Sequence, residues 1–224
     1  MALRIPLVVS LTLTAAAFFA PLAQAQAPVG DAKRGHDLAY TCQGCHAIPN
    51  YKNVYPTYSV PKVHGQRPEY LLAALKAYKS GERSHGTMHS QASSMSEQDM
   101  ADIAVYMAGP DVLAKSANDV PAEKRPKATA TCLACHGTNG VGITADYPTI
   151  AGQHEDYLER ALHDYQKGGR KNAIMAGMAA TLTAEDIEQL AQYYSHQTPA
   201  LETLPKKRFF FSADSGPKEP APKN

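Results

Sequence analysis

The sequence has no excess of charge, no second long apolar run and no cysteine outside two short motifs, and each lack closes off a class of function. The 22 Lys and Arg side chains include Arg4, in a leading stretch without acidic residues; setting Arg4 aside leaves 21 basic against 21 acidic side chains. A chain so balanced has no overall field to hold nucleic acid or an anionic membrane, so partners must be chosen by local patches. Beyond the first 25 residues no stretch is apolar enough to span a bilayer. Content that is 44% hydrophobic and 19% charged is ordinary for a folded chain and argues against a fibrous or disordered one. No convincing strand pattern appears.

What is there begins with Arg4, the uncharged run from Ile5 to Ala20, then Pro21 and Ala23-Gln24-Ala25. This is the basic start, apolar centre and small-residue exit of a secretory signal, residues 1–25, with cleavage expected after about Ala25. The run approaches the length of a membrane span, so a retained anchor is the competing reading. Export places the rest of the chain in the periplasm.

In that oxidising compartment four cysteines would normally suggest disulfides, and paired C-x-x-C motifs would suggest zinc. Neither explains why a histidine follows the second cysteine in both Cys42-Gln-Gly-Cys45-His46 and Cys132-Leu-Ala-Cys135-His136. Covalent haem attachment explains it: two thiols add to the two vinyl groups, and the next imidazole reaches the iron. The expected cofactors are two covalently attached haem c, on Cys42 and Cys45 and on Cys132 and Cys135. His46 and His136 are the expected iron ligands.

The chain also repeats. An offset of 87 carries Gly65-Gln66 to Gly152-Gln153, Tyr70-Leu71 to Tyr157-Leu158, Arg83 to Arg170, Pro61 to Pro148 and Met88 to Met175. The cysteine motifs are offset by 90, so the first copy holds three extra residues between His46 and Pro61, a matter of loop length. Two duplicated domains are expected at 28–112 and 127–198, with a polar linker at 113–126 and an unstructured tail at 199–224. Each half reads as helical. Residues 31–40 can form a short helix into the first motif, and 68–79 and 155–167 carry apolar side chains at helical spacing. Ser96-x-x-Asp99 and Thr183-x-x-Asp186 open capped closing helices. Gly35, seven residues before Cys42, would let the first and last helices approach closely; Arg125 stands at the matching place in the second half, so that packing must differ. The fold class is all-α, a few helices wrapped around one haem per half. So short a domain depends on the porphyrin for much of its core.

With CLACHGTNGVG, YPTIAGQHEDYL, GGRKNAIMAGM and LTAEDIEQLAQYY in view, the chain resembles the cytochrome c4 family, dihaem proteins of two tandem class I cytochrome c domains. The resemblance covers 28–198. It implies Met88 and Met175 as distal ligands opposite His46 and His136. Met178 rivals Met175 but aligns with Gln91, no plausible ligand; His85 and His89 flank Met88 and would make a bis-histidine haem of lower potential. The resemblance also implies that Pro61 and Pro148 offer their carbonyls to the proximal imidazoles, which orients the ring and raises its basicity; simple turn prolines are the bland alternative. The remaining histidines read as surface or capping residues. Departures gather in the first half, where Ala47 replaces the glycine expected after the motif and the run from Pro49 to Pro61 is rich in tyrosine.

With both axial positions filled, the haems exchange electrons and do not bind oxygen or peroxide, so the resemblance implies an electron carrier and no enzyme. The expected donor is a quinol-oxidising cytochrome complex or a periplasmic dehydrogenase, and the expected acceptor a terminal oxidase. A dedicated electron-transfer subunit of a dehydrogenase is the alternative, and a peroxidase-like enzyme the remote one. The run Lys206-Lys207-Arg208-Phe209-Phe210-Phe211 makes the tail a candidate for peripheral membrane contact.

Overall fold

The computed structural model describes residues 28–113 and 120–205. The expected signal segment, part of the expected linker and the cationic, aromatic stretch of the tail lie outside the described residues. The first half contains α1 (Ala32–Leu38), α2 (Tyr40–His46), α3 (Pro68–Ser80), α4 (Gly86–Ser93) and α5 (Glu97–Ala108). The second contains short 3-10 turns at Ala122–Lys124 and Lys127–Thr131, then α6 (Leu133–His136), α7 (Glu155–Lys167), α8 (Ala173–Ala180) and α9 (Ala184–Ser195). Among the described residues only isolated β-bridges occur, and no helix is long and apolar enough to cross a membrane.

Local chemistry sets the helix ends. Pro68 opens α3 at a position where its missing N–H costs nothing, and Gly81 closes it at φ 79°. Gly168 closes α7 in the same left-handed conformation, which a side chain would strain. Ser96 with Asp99, and Thr183 with Asp186, form full capping boxes on α5 and α9. In the first half Gly35 brings α1 against α5 so closely that a β-carbon there would lie 2.0 Å from the Asp102 carbonyl oxygen. The second half has only the Lys127–Thr131 turn against α9, the difference that Arg125 foreshadows.

Each half buries a small cluster of its own. Ala39, Ala47, Val63, Ile103 and Met107 make one, and Leu158, Leu190, Ala191 and Tyr194 the other. Cores of this size leave a short domain reliant on something else to complete it.

The join between the halves is self-complementary. The Gln66 side chain donates to the Thr149 carbonyl (2.8 Å) and accepts from the Thr149 N–H (2.9 Å). Gln153 does the same to the Lys62 carbonyl (2.9 Å) and N–H (2.9 Å). Under the 87-residue shift each set of bonds becomes the other, which is the signature of an approximate two-fold axis. The backbone repeats it: Ser84 N–H donates to Gly169 O (2.7 Å), and Lys171 N–H to Glu82 O (2.8 Å).

Two differences from the sequence reading stand out. The methionine segments, assigned no helix from their residue spacing, are the short helices α4 and α8. The tail read as unstructured from 199 is packed over its first residues: Leu201 and Leu204 are buried, Glu202 bridges His64, and Leu204 N–H donates to His46 O at 3.0 Å. Leu204 joins the first half's apolar cluster, and Leu201 N–H donates to Ala151 O in the second half at 2.9 Å.

Candidate functional site

Each Cys-x-x-Cys-His motif ends a short helix, which stacks the thiols and the imidazole along one turn. His46 Nδ1 lies 2.9 Å from the Pro61 carbonyl oxygen and His136 Nδ1 3.0 Å from that of Pro148. A carbonyl only accepts, so Nδ1 carries the proton in both rings and Nε2 keeps its lone pair. Burial lowers both imidazole pKa values, against the opposing pull of the carbonyls. Both rings therefore stay neutral, the form a metal requires. The His-to-Pro separation is 15 residues in the first half and 12 in the second, yet the contact is the same. The extra residues lie in a loop that crosses to the other half, where the Ser59 N–H and hydroxyl both donate to Asp156 at 3.0 Å.

One cavity runs through the join and encloses about 1890 Å³, part of it open to solvent. Cys42, Cys45, His46 and Met88 line it from one half, and Cys132, His136 and Met175 from the other. Cys135 does not line it; its thiol lies against the Tyr147 hydroxyl. Much of the wall is apolar, with Leu71, Leu75, Ile103, Leu158, Leu162 and Leu190. No two of the four cysteines are joined in a disulfide. Among the described residues no three His, Cys, Asp or Glu side chains converge as a metal site, so the motifs are not assembled as a zinc knuckle. Paired thiols, an imidazole with a free Nε2, a thioether and apolar walls are the donor set that suits a covalently held porphyrin.

The rivals of the two methionines are placed elsewhere. Met178 is 43% exposed and His89 is exposed with its Nδ1 2.8 Å from Tyr78 O; neither lines the cavity. His85 does line it, but its Nδ1 accepts from Met88 N–H at 3.2 Å and so caps α4. Burial lowers the His85 pKa, which keeps that lone pair free to accept. Asn172 caps α8 in the same way, accepting from Met175 N–H at 3.0 Å. Sequence reasoning missed these caps, although an Asn three residues before a methionine is a helix-start signal. It also gave no role to Gln66 and Gln153 or to Arg83 and Arg170, all of them visible as repeat-matched pairs.

The family described as cytochrome C oxidase, cbb3-type, subunit III matches residues 122–193. Cytochrome c4 of Pseudomonas aeruginosa is 34% identical over 178 residues, which span 73% of this chain and 87% of that protein. The crystal structure of reduced recombinant cytochrome c4 from Pseudomonas stutzeri is similar at a TM-score of 0.58 and 29% identity, covering 75% of this chain and 100% of that one. Thiosulfate dehydrogenase from Marichromatium purpuratum is similar at a TM-score of 0.58 and 26% identity, covering 74% of this chain and 40% of that one.

Proposed function

The chain belongs to the cytochrome c4 family, and we propose from this premise that it is a periplasmic shuttle, passing single electrons from a quinol-oxidising cytochrome complex or a periplasmic dehydrogenase to a terminal oxidase. It is an electron-transfer cytochrome of all-α fold with two covalently attached haem c groups, and its partners are redox proteins. When bound, each haem supplies a one-electron ferric/ferrous couple. Cys42 and Cys45, and Cys132 and Cys135, are the thioether attachments. His46 and His136, held by Pro61 and Pro148, would bind the iron through Nε2. Met88 and Met175 would supply its second protein ligand, which would leave no site for oxygen or peroxide and, as soft thioethers, favour the ferrous state.

The observation that carries this reading is the duplication of one constellation around a single cavity: an imidazole fixed through Nδ1 to a proline carbonyl, and a methionine on a short capped helix. The test is a redox titration of the holoprotein, followed by its optical spectrum. Two equivalents of the far-red sulfur-to-iron band at positive potentials are expected; a high-spin or low-potential haem would remove the ligation assigned to that half.

A second reading, a dedicated electron-transfer subunit of a dehydrogenase, draws support from the similarity to thiosulfate dehydrogenase. Stable co-purification with a catalytic chain would favour it over the free shuttle. The Lys206–Phe211 run, three cations beside three aromatics, suits peripheral contact with an anionic membrane.

A further inference from the structure

After α9 the chain crosses from the second half to the back of the first Cys-x-x-Cys-His motif. Ala200 lies so close to Gly152 that a β-carbon added there would come within 2.3 Å of its side chain, and Leu201 N–H donates to Ala151 O at 2.9 Å. Glu202 then pairs with His64 of the first half, donating to its carbonyl and accepting from its N–H, both at 3.0 Å. The crossing ends at Leu204, 3% exposed. Its N–H donates to His46 O at 3.0 Å, and its side chain joins Ala39, Ala47, Val63, Ile103 and Met107 in one cluster, against which Cys42 also packs.

Among the described residues the second half has no counterpart to this crossing. The 87-residue offset carries Gly65 to Gly152 and Leu113 to Ala200, and Leu113 does lie over Gly65 and donate to its carbonyl at 3.0 Å. That contact stays within its own half. No described backbone N–H of the first half bonds to residues 132–136 of the second motif.

Leu204 acts on the first motif in two ways. A helix leaves its last four carbonyls without partners inside it, and His46 is the final residue of α2, so the Leu204 N–H supplies one missing donor. Its side chain also closes the apolar cluster behind the motif to water. A ferric iron carries one more positive charge than a ferrous one, and water stabilises that charge. An apolar shell that shuts water out therefore favours the ferrous state.

We propose that residues 199–204 are a strap through which the second half raises the reduction potential of the first haem, with Leu204 as its positioning residue. The inference rests on the two-haem reading above and concerns the first haem alone. A strap on one side only separates the potentials of two otherwise matched sites and biases a transferred electron toward the first.

The test is a redox titration of the full holoprotein carrying Leu204→Asn, with the two potentials assigned by comparison with Met88→Ala. The first potential is expected to fall by at least about threefold in the ferrous/ferric equilibrium, which is about 28 mV for a one-electron couple. The second is expected to stay where it is. Leu204→Met conserves volume and apolar character and is expected to keep both potentials, as is removal of residues 206–224. Equal shifts at both haems, or no shift, overturn the proposal. So does a first-haem shift of the same size on removing residues 206–224, which would place the effect in the cationic tail. Both far-red bands should persist in Leu204→Asn; loss of one there also overturns the proposal, because the shift would then report lost ligation. If Leu204→Asn fails to take up haem, Leu204→Ala decides by the same comparison. A band missing from the unmodified protein would instead count against the methionine ligation, and the comparison of potentials would still decide the strap.

Discussion

The two halves share their ligand residues and three matched helices capped in the same way, and differ in the segments that lead into and out of the Cys-x-x-Cys-His motif. In the first, α1 is a true helix, capped by Asp31 and pressed against α5 through Gly35. Arg34 ties them further, donating to both Asp99 and Asp102. In the second, a 3-10 turn stands in for that helix. The haem motif leaves its helix through Ala47 at φ −106° in the first half and through Gly137 at φ +69° in the second. Yet the imidazole-to-proline contacts agree to within 0.1 Å, 2.9 against 3.0 Å. A duplicated domain can therefore change its scaffold while the ligand geometry is held by a few local contacts: one carbonyl, one cap and one glutamine across the join.

The sharpest way to break the comparison is to remove one distal methionine at a time. Met88→Ala and Met175→Ala are each expected to abolish half of the far-red band and leave the other half intact, because each methionine serves its own half. A variant that lost the whole band would show that the two sites do not fold independently. The next effect in size falls on one half alone. Gly35→Ala would place a methyl group against the Asp102 backbone, and overpacking of this kind costs about 1–3 kcal/mol. Denaturant unfolding followed at the first haem should move to lower midpoint, with the second haem's transition less affected.

Most of this asymmetry could be read from residue identities, because it depends on local steric rules. Gly35 against Arg125, and Ala47 against Gly137, are single-residue differences whose backbone consequences follow from the presence or absence of a side chain. The caps at Ser96 and Thr183 were legible for the same reason. The helical form of the methionine segments was not, because His85 is a weak capping signal and α4 and α8 are short, polar in one half and apolar in the other. The join was also hidden. That Gln66 and Gln153 recur at one offset shows that they matter, but a repeat says nothing about which backbone each amide meets. The order in residues 199–205 depends on Leu204 finding a distant cluster and on backbone bonds from Leu201 to Ala151 and from Glu202 to His64, tertiary effects that local composition does not carry.

The smallest expected effect is a difference in acid response, and it isolates Arg34. Asp99 is held down to about 2, first by the Ser96 hydroxyl and backbone and then by Arg34. Asp102 is lowered by the Asp31 backbone N–H, with Arg34 and Gln98 assisting against its burial. The matching Asp186 is lowered as well, but by Thr183 alone. A carboxyl whose folded pKa lies below its unfolded value of about 3.9 contributes stability above that value and loses it as pH falls toward the folded one. Below about pH 4 both halves therefore begin to lose the stability that their capping boxes contribute, and the first half also loses that of the link between α1 and α5. Amide-exchange protection of α1 and α5 should thus fall faster than that of α7 and α9 as pH drops from about 4 to about 2. In Arg34→Ala the difference should narrow, the remainder coming from the Asp31 N–H that Asp102 accepts. An unchanged difference in that variant would move the cause from the Arg34 ion pairs to the Asp31 contact and the packing at Gly35.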